Sequence, residues 1–81
     1  MGSIYSRRYK AFLARLRTAR KEAGLTQADV ARRLGQPQSF VSKCESGERR
    51  VDAVELAEFA RLYRKPVSSF LGSRRASTPR G

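Results

Sequence analysis

Punctuation limits this chain more than any other feature of its sequence. Glycines at 24, 35, 47 and 72 and prolines at 37 and 66 cut its apolar pattern into short pieces. Each piece spaces its apolar residues as a helix does, so a core can be built only by packing several short helices side by side. Tyr9, Phe12, Leu13, Leu16, Ala19 and Ala23 define one face of a first helix, with Arg8, Lys10, Arg15, Arg17 and Lys21 turned outward. Gly24 ends it, where a residue free to take positive φ is wanted.

A second helix starts at once. Thr26 is a suitable N-cap, Asp29 stands at capping-box distance, and Leu25 with Val30 has the spacing of a hydrophobic staple. Ala28, Val30, Ala31 and Leu34 form its inward face, and Gly35 stops it. Gln36-Pro37 cannot continue a helix, whereas Pro37 suits the entry to a new one. A third helix is predicted over Gln38–Ser46, with Val41 and Cys44 inward, Gln38, Ser39, Ser42 and Lys43 outward, and Gly47 as its stop. The fourth opens on Asp52 and Glu55 as a capping box and Val51 with Leu56 as a staple. Leu56, Phe59, Ala60 and Tyr63 make its buried stripe up to Arg64 and Lys65. Pro66 opens a fifth, short helix holding Val67, Phe70 and Leu71, which Gly72 ends. No strand pattern or internal repeat is present.

Eighty-one residues suffice for one domain, expected over 7–72. Residues 1–6 are expected to be a flexible start, in which Met1-Gly2-Ser3 has the look of an expression remnant. Residues 73–81, with Ala76 as their apolar side chain, read as a disordered basic tail. Eighteen basic against seven acidic side chains give a net charge of +11, which points to a polyanionic partner such as nucleic acid or an acidic membrane surface. The excess is concentrated at the ends. Arg7, Arg8, Lys10, Arg15, Arg17, Arg20 and Lys21 precede the first acid, residues 22–47 are balanced, and Arg74, Arg75 and Arg80 close the chain. The neutral middle is therefore left for something more selective than charge.

With no His and one Cys, the commonest acid–base and metal-binding groups are missing and no internal disulfide can form. No enzyme, cofactor or metal site is expected, and a reducing compartment fits. No apolar run approaches the ~18 residues of a membrane span, so no membrane-spanning role is expected. The Arg-rich start also has the composition of a transit peptide, but its apolar face argues for a structural helix.

The three-residue link Gly35-Gln36-Pro37 between the second and third helices is the spacing of a helix-turn-helix. Gly24-Leu25-Thr26-Gln27, Ala31, Gly35, Gln38-Ser39, Val41-Ser42, Glu45 and Gly47 resemble the helix-turn-helix family of the phage lambda repressor and Cro, the XRE family. The likeness spans roughly Leu13 to Leu71. It implies an all-α, five-helix lambda repressor-like DNA-binding domain and a role in transcription regulation, usually as a two-fold homodimer. The setting it implies is cytoplasmic, bacterial or phage-encoded, and nucleoid-associated.

The residues themselves allow a chemical reading of such a site. On the outer edge of the third helix, Gln38 can bond adenine in bidentate fashion, Lys43 can donate to guanine, and Ser39 and Ser42 can serve either way. The alternative is a merely solvated polar face. Gln27, at the start of the second helix, is placed for a phosphate or is simply a helix-start residue. Arg49 and Arg50 are candidate phosphate clamps, or loop residues kept for solubility. Arg20 and Glu45 match a pair that looks structural in the family.

Cys44 falls where the family usually has a large aliphatic or aromatic residue, and reads as a core side chain rather than a nucleophile. Pro37 replaces a frequent Ser or Thr, which removes a side-chain cap. Phe40 either touches a thymine methyl or packs on the core edge beside Cys44, with packing favoured. Phe59, Leu62, Tyr63, Val67, Phe70 and Leu71, together with Val54, form an apolar surplus that is either a dimer patch or ordinary core. Double-stranded DNA and a second copy of the chain are thus the expected partners. An antitoxin-like module that holds another protein, or nonspecific binding of polyanions or a membrane surface by the first helix, are the rival readings.

Overall fold

The punctuation is realised as four α-helices, α1 (Arg7–Glu22), α2 (Gln27–Leu34), α3 (Gln38–Ser46) and α4 (Ala53–Tyr63), followed by a 3-10 turn at Val67–Phe70. The coordinates are a computed structural model that describes residues 6–72. Residues 1–5 and 73–81, expected to be flexible, lie outside the described residues. Ser6, which the sequence reading leaves in the flexible start, is the N-cap of α1, its Oγ accepting from the Tyr9 N–H at 3.1 Å.

Local chemistry sets each helix start. Thr26 and Asp29 close a reciprocal box at the head of α2, with Asp29 N–H donating to Thr26 Oγ1 at 3.0 Å and Thr26 N–H to Asp29 Oδ2 at 2.8 Å. Asp52 and Glu55 do the same for α4, at 2.7 and 3.0 Å. α3 lacks this help, because Pro37 is its N-cap and offers no side-chain acceptor.

The helix ends need left-handed backbone. Gly35, at φ 68°, closes α2 and lets the Gln36 N–H reach the Ala31 carbonyl at 2.9 Å. α4 ends the same way without a glycine. Arg64 takes φ 58°, and the Lys65 N–H reaches the Ala60 carbonyl at 3.0 Å. An L-residue with a Cβ pays ~1–2 kcal/mol for that conformation.

The expected fifth α-helix is instead four residues of 3-10 turn. Pro66 and the left-handed Gly72, φ 79°, bracket too short a span for an α-helical ladder, and Ser69 turns its hydroxyl back onto the Pro66 carbonyl at 2.8 Å.

Every element sends a side chain to the centre: Leu16, Val30, Val41, Phe59 and Phe70 are each at most 1% exposed. Burial of such side chains stabilises by about 1.5–3 kcal/mol apiece. Phe12, Leu13, Ala19, Ala31, Cys44, Leu56, Ala60 and Tyr63 complete the core, with Tyr9, Leu25, Leu34, Phe40, Val51 and Leu62 packed around it. Two expected core residues are outside. Ala23 is the exposed C-cap of α1, and Ala28 lies beyond the narrow stripe of Gln27, Val30, Ala31 and Leu34 that α2 turns inward.

Candidate nucleic-acid interface

α3 divides cleanly into two sides. Val41, Cys44 and Glu45 are buried, which sets the side of the helix that faces the core and leaves Gln38, Ser39, Ser42 and Lys43 all exposed along its outer edge. The four residues expected to read bases are thus brought together on one accessible face, at the end of the helix that follows the tight turn at Gly35.

Beneath that face lies a buried polar anchor. Glu45 is 2% exposed and Arg20 12%. Arg20 Nε donates to Glu45 Oε2 at 2.7 Å and Nη2 to Oε1 at 3.2 Å, while Nη1 reaches the Leu25 carbonyl at 2.9 Å. The hydrogen bond to Glu45 raises the pKa of Arg20 above its ordinary value, so this cation is permanent. Arg17, expected on the outward face of the first helix, has a defined partner: its Nη1 donates to the Glu45 backbone carbonyl at 2.9 Å. α1 therefore grips the C-terminal half of α3 twice.

Gln27 links that anchor to the outer edge. Its Nε2 donates to Glu45 Oε1 at 3.0 Å, and its Oε1 accepts from Gln38 Nε2 at 3.5 Å. A residue expected either at a phosphate or simply as a helix start is thus also a side-chain bridge between a buried carboxylate and an exposed amide. Sequence spacing carries no signal for this contact, because it joins two helices across a turn.

The loop arginines are both engaged with the protein. Arg49 forks onto Glu55, Nη1 to Oε1 and Nη2 to Oε2 at 2.7 Å each, and lies 4.8 Å above the Phe40 ring. This hydrogen bonding holds the Glu55 carboxyl below the usual carboxylate range and pushes Arg49 upward. Arg50 lies 4.3 Å above the ring of Tyr9, whose hydroxyl accepts from the Val51 N–H at 3.1 Å. Phe40 is half-buried against the core, in keeping with packing as its main role.

Among the apolar residues expected to form a dimer patch, Phe59, Tyr63 and Phe70 are core, at most 4% exposed, and have no surface to give a second subunit. Leu62 is half-buried, while Val54, Leu71 and Val67 are 70, 55 and 38% exposed. Cys44 is fully buried, and desolvation pushes its thiol up, so it packs as a small apolar side chain. No helix among the described residues is long and apolar enough to cross a membrane.

A short tight turn between two helices, the second of which presents a polar edge to solvent, defines a helix-turn-helix domain, and residues 11–68 match the family of that description. The chain belongs to it, and within it to the XRE type. A solved XRE-family like protein from Pseudomonas syringae pv. tomato str. DC3000 is 46% identical, with a TM-score of 0.80 over 94% of this chain and 93% of that one. Protein SENSITIVE TO UV 2 of Arabidopsis thaliana is 38% identical over 60 residues, 74% of this chain. That stretch is 9% of the plant protein, so the chain spans less than a tenth of its length. The fold is that of a DNA-binding regulator.

Proposed function

We propose that this regulator reads sequence in the major groove of double-stranded DNA with α3, using Gln38, Ser39, Ser42 and Lys43. The observation that carries this reading is the exposure of all four on one edge of a helix whose other side is locked by Val41, Cys44 and Glu45. A ~12 Å groove admits such a helix, and amide, hydroxyl and ammonium groups match the donor and acceptor patterns of its base pairs. Gln27 holds Gln38 from behind and, at the first turn of α2, also lies near backbone N–H groups suited to a phosphate. Arg50, whose guanidinium lies over the Tyr9 ring, is the loop arginine we assign to a phosphate. The surplus of basic residues on α1 adds nonspecific attraction that falls with salt.

A homodimer on a palindromic site is the assembly we favour, with Leu62, Val67 and Leu71 as the surface available to the second copy. The cytoplasm is the compartment that suits a free buried thiol. Selection of bound sequences from a pool of random duplexes tests both parts. An enriched motif with two half-sites ~34 Å apart is expected, and sedimentation should give twice the chain mass. Enrichment of no motif would remove the base-reading claim, and a single half-site with a monomer mass would remove the dimer.

A further inference from the structure

Arg49 belongs to neither α3 nor α4, yet it is bonded to both. Its guanidinium covers the Phe40 ring of α3 at 4.8 Å, places Nη1 3.9 Å from the buried Cys44 Sγ, and forks onto both oxygens of Glu55 in the first turn of α4. Nη1 also donates to the Arg50 carbonyl at 3.1 Å. Glu55 in turn accepts from the Asp52 N–H at 3.0 Å, so the fork is fastened to the capping box that starts α4. The location matters because α3 and α4 share the buried core, and the Arg49 side chain adds a polar link between them.

We propose that Arg49 is a positioning residue for α3 and not a phosphate clamp: the Phe40–Arg49–Glu55 bracket fixes the angle at which α3 presents Gln38, Ser39 and Lys43. This rests on the reading that α3 enters the groove. Phe40 is the point at which the bracket meets α3. It lies between the buried and the exposed side of α3, one turn before Cys44, and a planar cation pressed on its ring resists roll of the helix toward solvent. A phosphate would have to compete for Arg49 with a carboxylate that already holds both terminal nitrogens in the geometry guanidinium prefers. Lysine cannot reproduce that geometry, since it lacks both the fork and the flat face.

Two mild variants separate the roles. Arg49→Lys keeps the charge and loses the fork. Glu55→Gln keeps a capping-box side chain and loses the carboxylate. Each is titrated, as the full chain, with the duplex the wild-type chain selects and with its single-base variants, over a range of salt. Positioning predicts that both lose at least about fivefold in affinity for the selected duplex, the lower end of what one base-reading contact is worth. Discrimination between bases should narrow in both, and the slope of log K against log salt should stay unchanged. A phosphate contact predicts the reverse pattern: Arg49→Lys binds as wild type, and Glu55→Gln binds more tightly because a cation is released. That result overturns the proposal.

Should selection enrich no duplex, the groove-reading account fails, and the bracket is judged on the free chain. Both variants should then shift a common set of backbone amide resonances over residues 38–44, and shifts confined to the neighbourhood of each substitution refute it.

Discussion

Glu45→Ala is the sharpest perturbation of the anchor beneath α3. The substitution removes the acceptor of three hydrogen bonds, from Arg20 Nε at 2.7 Å, Arg20 Nη2 at 3.2 Å and Gln27 Nε2 at 3.0 Å. It strands a guanidinium whose side chain is 12% exposed, with the Leu25 carbonyl as its remaining partner. Breaking a buried pair on one side costs ~3–5 kcal/mol, because the surviving charge stays desolvated. At ~0.05–0.15 kcal/mol per residue, a chain of this length has about 4–12 kcal/mol in total. The variant should therefore melt about 12 °C or more below wild type, at roughly 4–8 °C per kcal/mol, or be unfolded at room temperature. Thermal melts followed by circular dichroism measure it. The double variant Arg20→Met/Glu45→Met separates charge stranding from lost packing and should recover most of the loss, since apolar pairs of similar volume commonly replace buried ion pairs at little cost. A folded Glu45→Ala protein within about 1 kcal/mol of wild type, the range of surface pairs, would show that the Arg20–Glu45 pair carries no buried-charge penalty.

Three further outcomes are expected. Arg64→Gly removes a left-handed L-residue and, after the extra entropy of the unfolded chain, should stabilise by about 0.5–1 kcal/mol; a lower melting temperature would show that the Arg64 side chain has a role of its own. Asp29, held down chiefly by the backbone N–H of Thr26, and Glu55, held down by Arg49, have depressed folded pKa values, so their stabilisation is complete above the ordinary carboxylate range and lost as pH falls through the folded values. Tyr63, pushed up by burial, has the opposite sign, with stabilisation complete below the ordinary tyrosine range and lost in strong alkali. Melting temperature against pH should accordingly fall at both ends, and Asp29→Asn/Glu55→Gln should flatten the acid side; an unchanged acid limb would contradict the assignment. Cys44, fully buried with a raised pKa, should resist thiol reagents in the native protein and react promptly in denaturant, whereas rapid native labelling would mean that α3 detaches from the core.

Helix starts were legible because capping is local: Thr26 with Asp29 and Asp52 with Glu55 act over three residues, as the sequence pattern implies. The core was legible where the stripe is wide, as in α4, and less so at Ala23 and Ala28, small residues at the margin of a stripe. The pattern puts the end of α4 near Arg64 and Lys65, but nothing in it marks Arg64 as left-handed, since the usual sign is a glycine. The fifth helix failed on length, because periodicity cannot distinguish one turn of 3-10 from the start of an α-helix. In the site, exposure of Gln38, Ser39, Ser42 and Lys43 follows from helical spacing alone. The bridges Gln27–Glu45, Arg17–Glu45 and Arg49–Glu55 do not, because each joins elements whose mutual placement only the packed core defines.

Lys43→Ala is the most direct test of base reading by the outer edge of α3. Lys43 is exposed and outside the buried anchor, so the variant should melt as wild type does. Affinities for the selected duplex and for every single-base substitution of it should show a loss of ~1–3 kcal/mol and relaxed preference at one base position, with the other positions discriminated as before. Equal weakening on all duplexes, with the base preferences intact, would mean that Lys43 meets only the DNA backbone and that α3 does not read sequence there.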